Sequence, residues 1–316
     1  MIAIGIHGGC GTLPVEMMSE AQWGEARAHL ADSLRAGWAV LARGGAALDA
    51  VQSAVVVMED SPYFNAGYGA AMNSEGAHEL DSAIMDGASL RVGAVCAARA
   101  IRNPVRGARL VLEDGACVLR TGPAADEFAR AGGLEVVAND FFTTRRQVDA
   151  LARLKERAAL GTIAAASEAE KHGTVGAVAL DADGNLAAAT STGGFNNKPP
   201  GRVGDSPIAG AGTYARNGVC AVSCTGQGEV FIRRVAAYDV AARMMYAGAT
   251  LGEAAAAVID AMAPHGIGAG MVAIDAAGRV LTPFNTIGMY RGWVTTEGEL
   301  TVASHNEEFR LGRLER

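Results

Sequence analysis

The sequence predicts an α+β fold: two stacked, mainly antiparallel sheets with helices over both outer faces. Three observations predict it. Half of the 316 residues are apolar and 19% are charged, which supplies a large core. Glycine is frequent, at 41, while aromatics make up 5%, so small residues let backbones approach closely in packed layers. Helical periodicity clusters in the first half and strand–turn–strand patterns fill the second, unlike the regular alternation of a doubly wound parallel sheet.

The elements follow in order. "IAIGIH" alternates and then breaks into "HGGCGT", a strand followed by a glycine-rich turn. Ser19 with Gln22 forms a capping box. Trp23, Ala26, Leu30, Leu34, Trp38 and Leu41 then recur at helical spacing, and Gly44-Gly45 ends that helix. A second helix spans Ala47 to Glu59. "HELDSAIMDG" and "RVGAVCAA" are strands. "GAVALDADGNLAAATS" and "GMVAIDAAGRVLTPFN" each read as strand, tight turn, strand, with Asp183-Gly184 and Ala277-Gly278 at the turns. Helices are expected over Val230 to Tyr246 and Leu251 to Met262.

Composition excludes several functions. Net charge is −7 with few aromatics, a poor match to nucleic acid, where affinity comes from Lys and Arg neutralising phosphates. No apolar run approaches membrane-spanning length. "MIAIGIHGG" lacks a basic n-region and reads as a strand, not a signal peptide. The five cysteines form no CxxC pair, which argues against structural zinc and a disulfide framework. Cys220 and Cys224 share one strand face as small core residues. A cytoplasmic location is expected.

Between the halves, "ALGTIAAASEAEKHG" mixes charges and small residues without an apolar stripe and reads as an exposed, mobile connection. It ends in Gly173-Thr174, at the start of an apolar strand. On its own that pair is an ordinary loop-to-strand junction. Cutting the bond between them would give Thr174 a free α-amine, with a pKa of about 7.7–8.0, within reach of its own hydroxyl. That is the amine-activated threonine nucleophile. Glycine at 173 offers little hindrance to such a cut.

Neighbouring residues fit this chemistry. "TSTGG" on the return strand places Thr192 near Thr174. Arg202 and Asp205, three apart in a Gly/Pro-rich loop, read either as a surface salt bridge or as a clamp on the two ends of a free α-amino acid. Thr225-Gly226-Gln227-Gly228 precedes a helix, so its N–H groups suit an oxyanion hole, a phosphate loop or a plain cap.

Long stretches carry a resemblance to a known family. These are "HGGCGT", "FNAGYGAAMNSEGAHELDSAIMDG", "RNP", "GTVGAVALDADGNLAAATSTGG", "NKPPGRVGDSP", "CTGQGEVFIRR" and "PFNTIGMYRG". In this order they resemble the plant-type L-asparaginase / isoaspartyl peptidase family of N-terminal-nucleophile (Ntn) hydrolases. The resemblance implies a four-layer αββα sandwich in a single domain. It implies autocatalytic cleavage into residues 1–173 and 174–316, with a mobile linker over about 155–173, and a homodimer of αβ units.

By position, Thr174 matches the nucleophile, and Thr192 and Thr225 its hydrogen-bonding partners. The Thr225 hydroxyl and Gly226 N–H match the oxyanion hole. Arg202 matches the α-carboxylate ligand; Asp205, with Gly228, matches the α-amino ligand. Asn65 and the His7-Gly8-Gly9 segment match residues lining the site. The resemblance implies no cofactor for catalysis. It also implies a structural sodium ion held by the main-chain carbonyls of Met58, Glu59, Ser61, Phe64, Ala66 and Tyr68. Cys10, Gln227 and Phe195 depart from residues usual in the family, and none removes a catalytic role. The implied activity is hydrolysis of L-asparagine and β-aspartyl dipeptides. A glycosylasparaginase-like amidase and a non-processing amino-acid-binding protein are the alternatives.

Overall fold

Helix α1 (Glu20–Ala42) begins where the Ser19–Gln22 spacing places it. In the computed structural model, which describes residues 1–11, 13–160, 173–263 and 266–315, the Ser19 hydroxyl accepts the Gln22 N–H at 3.3 Å. Gln22 Oε1 accepts the Ser19 N–H at 3.0 Å, so two donors left open by a helix start are satisfied reciprocally. All six apolar positions from Trp23 to Leu41 are buried. Helix α2 (Ala47–Glu59) packs along α1.

Among the described residues, nine strands form the larger sheet. Numbered along the chain, their spatial order is β13 (Glu308–Arg313), β12 (Glu299–Ala303), β11 (Gly288–Val294), β1 (Ala3–Gly11), β5 (Val175–Leu180), β6 (Leu186–Thr192), β2 (Leu80–Asp86), β3 (Val92–Ala98) and β4 (Leu119–Thr121). Only the β3–β4 pair is parallel. The smaller sheet runs β10 (Val280–Leu281), β9 (Ala269–Asp275), β8 (Cys220–Gly226), β7 (Thr213–Arg216), all antiparallel.

Side-chain alternation distributes these strands between two cores. Val175, Ala177 and Ala179 of β5 pack with Leu30 and Leu34 of α1 and Val51 of α2. The alternate residues Val178 and Leu180 pack with Val222 and Cys224 of β8 and Val272 of β9. That second core extends to two later helices, Ala236–Ala247 and Leu251–Asp260. Cys220 and Cys224 are fully buried there as predicted, and burial pushes the Cys220 thiol up to about 12. Helices α3 (Pro104–Asp114), α4 (Gly122–Ala131) and α5 (Arg145–Ala159) complete the first half. Among the described residues no helix is long and apolar enough to cross a membrane.

Three expectations are corrected. The "HGG" stretch is not a turn. Strand β1 continues to Gly11 with a bulge between His7 and Gly9, because β11 goes on pairing with it at Gly9, Cys10 and Gly11. The single helix expected over Val230 to Tyr246 is two, α6 (Gly228–Arg234) and α7 (Ala236–Ala247), with α8 (Leu251–Asp260) after them. Val235 sits between α6 and α7 at φ 49°, and the Ala237 and Tyr238 N–H groups donate to Ala211 and Gly210 carbonyls instead of continuing the helix. Finally, residues 155–159, placed at the start of the mobile linker, are the last turn of α5. The rest of that connection, 161–172, lies outside the described residues.

Candidate active site

The β5–β6 hairpin sets the geometry. Asp181 fixes its turn: Oδ1 accepts the Asp183 and Asn185 N–H groups at 3.1 and 2.8 Å. Oδ2 accepts the Ala47 N–H at 3.0 Å, which ties the turn to the start of α2. Val175 pairs with Ser191, so Thr174 and Thr192 meet at the open end, their hydroxyl oxygens 3.2 Å apart.

Three donors converge on the Gly173 carbonyl oxygen. The Thr174 hydroxyl lies 2.7 Å away, the Thr192 hydroxyl 3.0 Å and the Asn65 amide nitrogen 2.9 Å. Asn65 Oδ1 accepts the Ala71 N–H at 2.6 Å, which turns its NH₂ toward Gly173. Glycine is required on both sides of this carbonyl. A Cβ on Gly173 would stand 2.9 Å from Asn65 Cβ. One on Gly9, already at φ +104°, would stand 3.1 Å from both Gly173 Cα and Thr174 N.

His7 holds Thr174 from below. Its Nδ1 is 3.1 Å from the Thr174 carbonyl oxygen and its Nε2 is 2.9 Å from Ser223 Oγ. Burial lowers the imidazole to about 3, so it is neutral. A carbonyl only accepts, so Nδ1 carries the proton and Nε2 accepts from Ser223. Thr190 and Thr213 continue the chain at 2.7 and 2.6 Å, each hydroxyl donating to the next toward His7. Gly176 makes room, since a Cβ there would lie 1.9 Å from Ser223 Oγ.

A small cavity of about 10 Å³ adjoins the nucleophile, lined by residues that include Gly173, Thr174, Thr192, Arg202, Asp205 and Gly226. Arg202 and Asp205 are not the local surface salt bridge that the loop alone permits. Arg202 Nε donates to Glu229 Oε1 at 2.8 Å, and its guanidinium lies 4.7 Å over the Phe195 ring. Asp205 is buried, with no partner for Oδ2 among the described residues. Burial pushes its carboxyl up to about 7, against the opposing pull of Arg202. An incoming ammonium would relieve that unpartnered oxygen. Gly228 packs closely against both side chains, for a Cβ there would fall 2.8 Å from Asp205 Oδ1 and 3.0 Å from Arg202 Nη2.

Thr225 is fully buried at the end of β8, and Gly226, at φ +147°, reaches the cavity. The departure at Cys10 meets Thr225 directly. The Cys10 N–H donates to Thr225 Oγ1 at 3.3 Å and its thiol to the Thr225 carbonyl at 3.4 Å. Gln227 does not line the cavity; its carbonyl accepts N–H groups from Val230 and Phe231 at the start of α6.

The loop carrying Met58, Glu59, Ser61, Phe64, Ala66 and Tyr68 folds back on itself, the Tyr68 N–H donating to the Glu59 carbonyl at 2.7 Å. The Glu59 side chain does something the sequence reading missed. It is buried, accepts the Ser191 hydroxyl at 2.6 Å and the Val105 N–H at 3.0 Å, and so anchors the residue beside Thr192. Burial pushes its carboxyl up to about 8. Glu229 was also missed. Its acidity at the first turn of α6 was visible, but not its approach to Arg202.

A hydroxyl held against a polarised peptide carbonyl is the equipment of an amide hydrolase. Comparison with known proteins agrees. The asparaginase family profile matches residues 1–303. The chain is 50% identical over 294 residues to an isoaspartyl peptidase of Escherichia coli (strain K12), covering 92% of each chain. It is 48% identical to an isoaspartyl peptidase of Salmonella typhimurium, covering 92% of this chain and 94% of the relative. A probable isoaspartyl peptidase/L-asparaginase 2 of Arabidopsis thaliana is 38% identical, over 95% of this chain and 98% of its own. The chain belongs to the asparaginase family.

Proposed function

We propose that this chain is an autoprocessing threonine amidohydrolase that hydrolyses L-asparagine and β-aspartyl dipeptides to L-aspartate. The observation that carries this reading is the convergence of Thr174, Thr192 and Asn65 on the Gly173 carbonyl oxygen. Asn65 and Thr192 withdraw charge from that oxygen. The Thr174 hydroxyl adds to the Gly173 carbon through a five-membered ring, its proton passes to the Thr174 nitrogen, and the C–N bond breaks. The resulting ester is hydrolysed by water, which frees the α-amine.

That amine is the base for turnover, with a pKa of about 7.7–8.0. Substrate then takes the cavity, which at about 10 Å³ is closed to it until Gly173, one of its lining residues, withdraws on cleavage. Arg202 holds its α-carboxylate and Asp205, beside Gly228, its α-ammonium. The side-chain carbonyl faces Thr174, with the Thr225 hydroxyl and Gly226 N–H meeting the oxyanion. The acyl carbon passes to Thr174 Oγ1 and the amine leaves with a proton. Water releases aspartate. A ligand lacking the α-ammonium leaves the buried Asp205 carboxyl without its partner, and one lacking the α-carboxylate forfeits the Arg202 contact, which is the source of specificity.

The rest of the reading follows the family. The two sheets and their helices are a four-layer αββα sandwich of the Ntn-hydrolase type, cut into 1–173 and 174–316, paired as a dimer of αβ units and cytoplasmic. No cofactor takes part in the chemistry. The carbonyls of Met58, Glu59, Ser61, Phe64, Ala66 and Tyr68 hold a sodium ion; an all-oxygen main-chain donor set suits a hard cation, and the Glu59 carbonyl, which accepts the Tyr68 N–H, has a second lone pair to offer. Intact mass before and after incubation tests the reading. Two fragments, 1–173 and 174–316, are expected, with hydrolysis of asparagine rising as they form. A chain that hydrolyses while intact overturns it.

A further inference from the structure

Gly173 lines two cavities. One is the small Arg202–Asp205 cavity. The other is far larger, about 620 Å³, and also reaches Asn65. Met17, Met18, Tyr63 and Tyr290 supply much of its apolar wall, and Arg146 lines it from the first turn of α5. Its size suits a small organic ligand, and polar side chains, among them Gln22, Asn65, Arg153 and Asn196, share its lining with the apolar ones.

Arg146 is the anchor. It is exposed to solvent in the cavity, and its one hydrogen bond among the described residues goes from Nη2 to the Pro62 carbonyl at 3.0 Å. Its neighbour Arg145 is already engaged with Asp149 at 2.9 Å. Arg146 thus keeps guanidinium donors for a carboxylate, which a planar fork binds bidentately.

Resting on the proposed hydrolysis of β-aspartyl dipeptides, we infer that this cavity receives the leaving residue and that Arg146 binds its free C-terminal carboxylate. The aspartyl α-groups occupy the small cavity, so the scissile carbonyl stands where the two cavities meet. The leaving residue extends into the larger one, its side chain against the methionine and tyrosine walls. Arg146 is then a specificity residue for the leaving group, and the preferred substrates are dipeptides with an apolar second residue and an unblocked terminus.

The test compares kcat/KM of the matured enzyme for β-aspartyl-leucine and for its C-terminal amide, with L-asparagine as a reference substrate. Wild type is expected to favour the free acid tenfold or more. Arg146→Gln should bring that ratio to within twofold of one, and Arg146→Lys should restore part of it through a single charge. Equal wild-type rates on acid and amide, or a ratio unchanged in Arg146→Gln, overturn the inference. Should Arg146→Gln fail to mature by intact mass, the wild-type ratio decides alone. Hydrolysis of asparagine with equal acid and amide rates sinks only the leaving-group site, whereas no hydrolysis of any of the three sinks the underlying activity as well.

Discussion

The β5–β6 and β9–β10 hairpins share one turn and differ in everything around it. In each, an aspartate carbonyl accepts a glycine N–H, Asp181 from Gly184 at 3.1 Å and Asp275 from Gly278 at 3.0 Å. In each, Oδ1 of that aspartate takes two further backbone N–H groups. Both glycines have positive φ, +84° and +76°. Yet β5 and β6 lie inside the larger sheet and are buried throughout, whereas β10 is a two-residue edge strand. A turn makes a hairpin; burial on both faces makes a hairpin rigid enough to hold two hydroxyls at a fixed spacing.

The largest expected effect breaks the comparison at the mouth of the first hairpin. Thr174→Ala should leave the chain uncut and without hydrolysis, while Thr282→Ala, just past β10, should leave cleavage complete by intact mass. Self-cleavage of Thr174→Ala would refute the assigned nucleophile. Next, Asp205→Asn, on the chain that leaves the first hairpin, should be cut normally but lose turnover at least about a hundredfold, since a buried charge partner is gone.

Asp205 also carries a pH signature. Its carboxyl holds a proton more tightly folded, up to about pH 7, than unfolded. Between the ordinary carboxylate range and pH 7, rising pH therefore favours the unfolded chain. Urea midpoints of the uncut Thr174→Ala protein should fall from pH 5 to pH 8, and less steeply once Asp205→Asn is added. An identical slope in both would place the titration elsewhere.

Glycine substitutions sharpen the contrast in packing. In the same uncut background Gly176→Ala should cost about 3 kcal/mol, because its Cβ meets the buried Ser223 and His7 pair. Gly270→Ala, at the second hairpin, should cost about 1 kcal/mol, since the nearest atom, 2.7 Å away, is the flexible Met289 sulfur. The smallest contrast lies in the turns. Asp181→Ala strands a buried Ala47 N–H as well as the turn and should cost about 2 kcal/mol, whereas Asp275→Ala, at a more open turn, should cost about 1. Denaturant titration separates each pair.

Helices α1 and α2 and both hairpins were legible because their signals are local: a capping box, an apolar stripe, a residue–glycine pair at each turn. The approach of Thr174 to Thr192 followed from counting residues around one tight turn. Other features depend on contacts distant in sequence. The β1 bulge exists because β11, some 280 residues later, pairs past it. Nothing local marks Val235 for positive φ; the loop carbonyls of Gly210 and Ala211 impose it. α3, α4 and the strands β11–β13 went unassigned because their stretches are short and broken by glycine, proline or charged residues. Within the site, the residue types of Arg202 and Asp205 were readable. Glu229 as the actual partner of Arg202, and Glu59 as the anchor of Ser191, required the tertiary packing.

The strand order has a further effect. β1, from before residue 173, is wedged between β11 and β5, both from after it, and β2 pairs with β6 across the same divide. A severed backbone would leave two polypeptides woven through one sheet, unable to part without unzipping its centre. Made separately, each would lack the strands that flank its own.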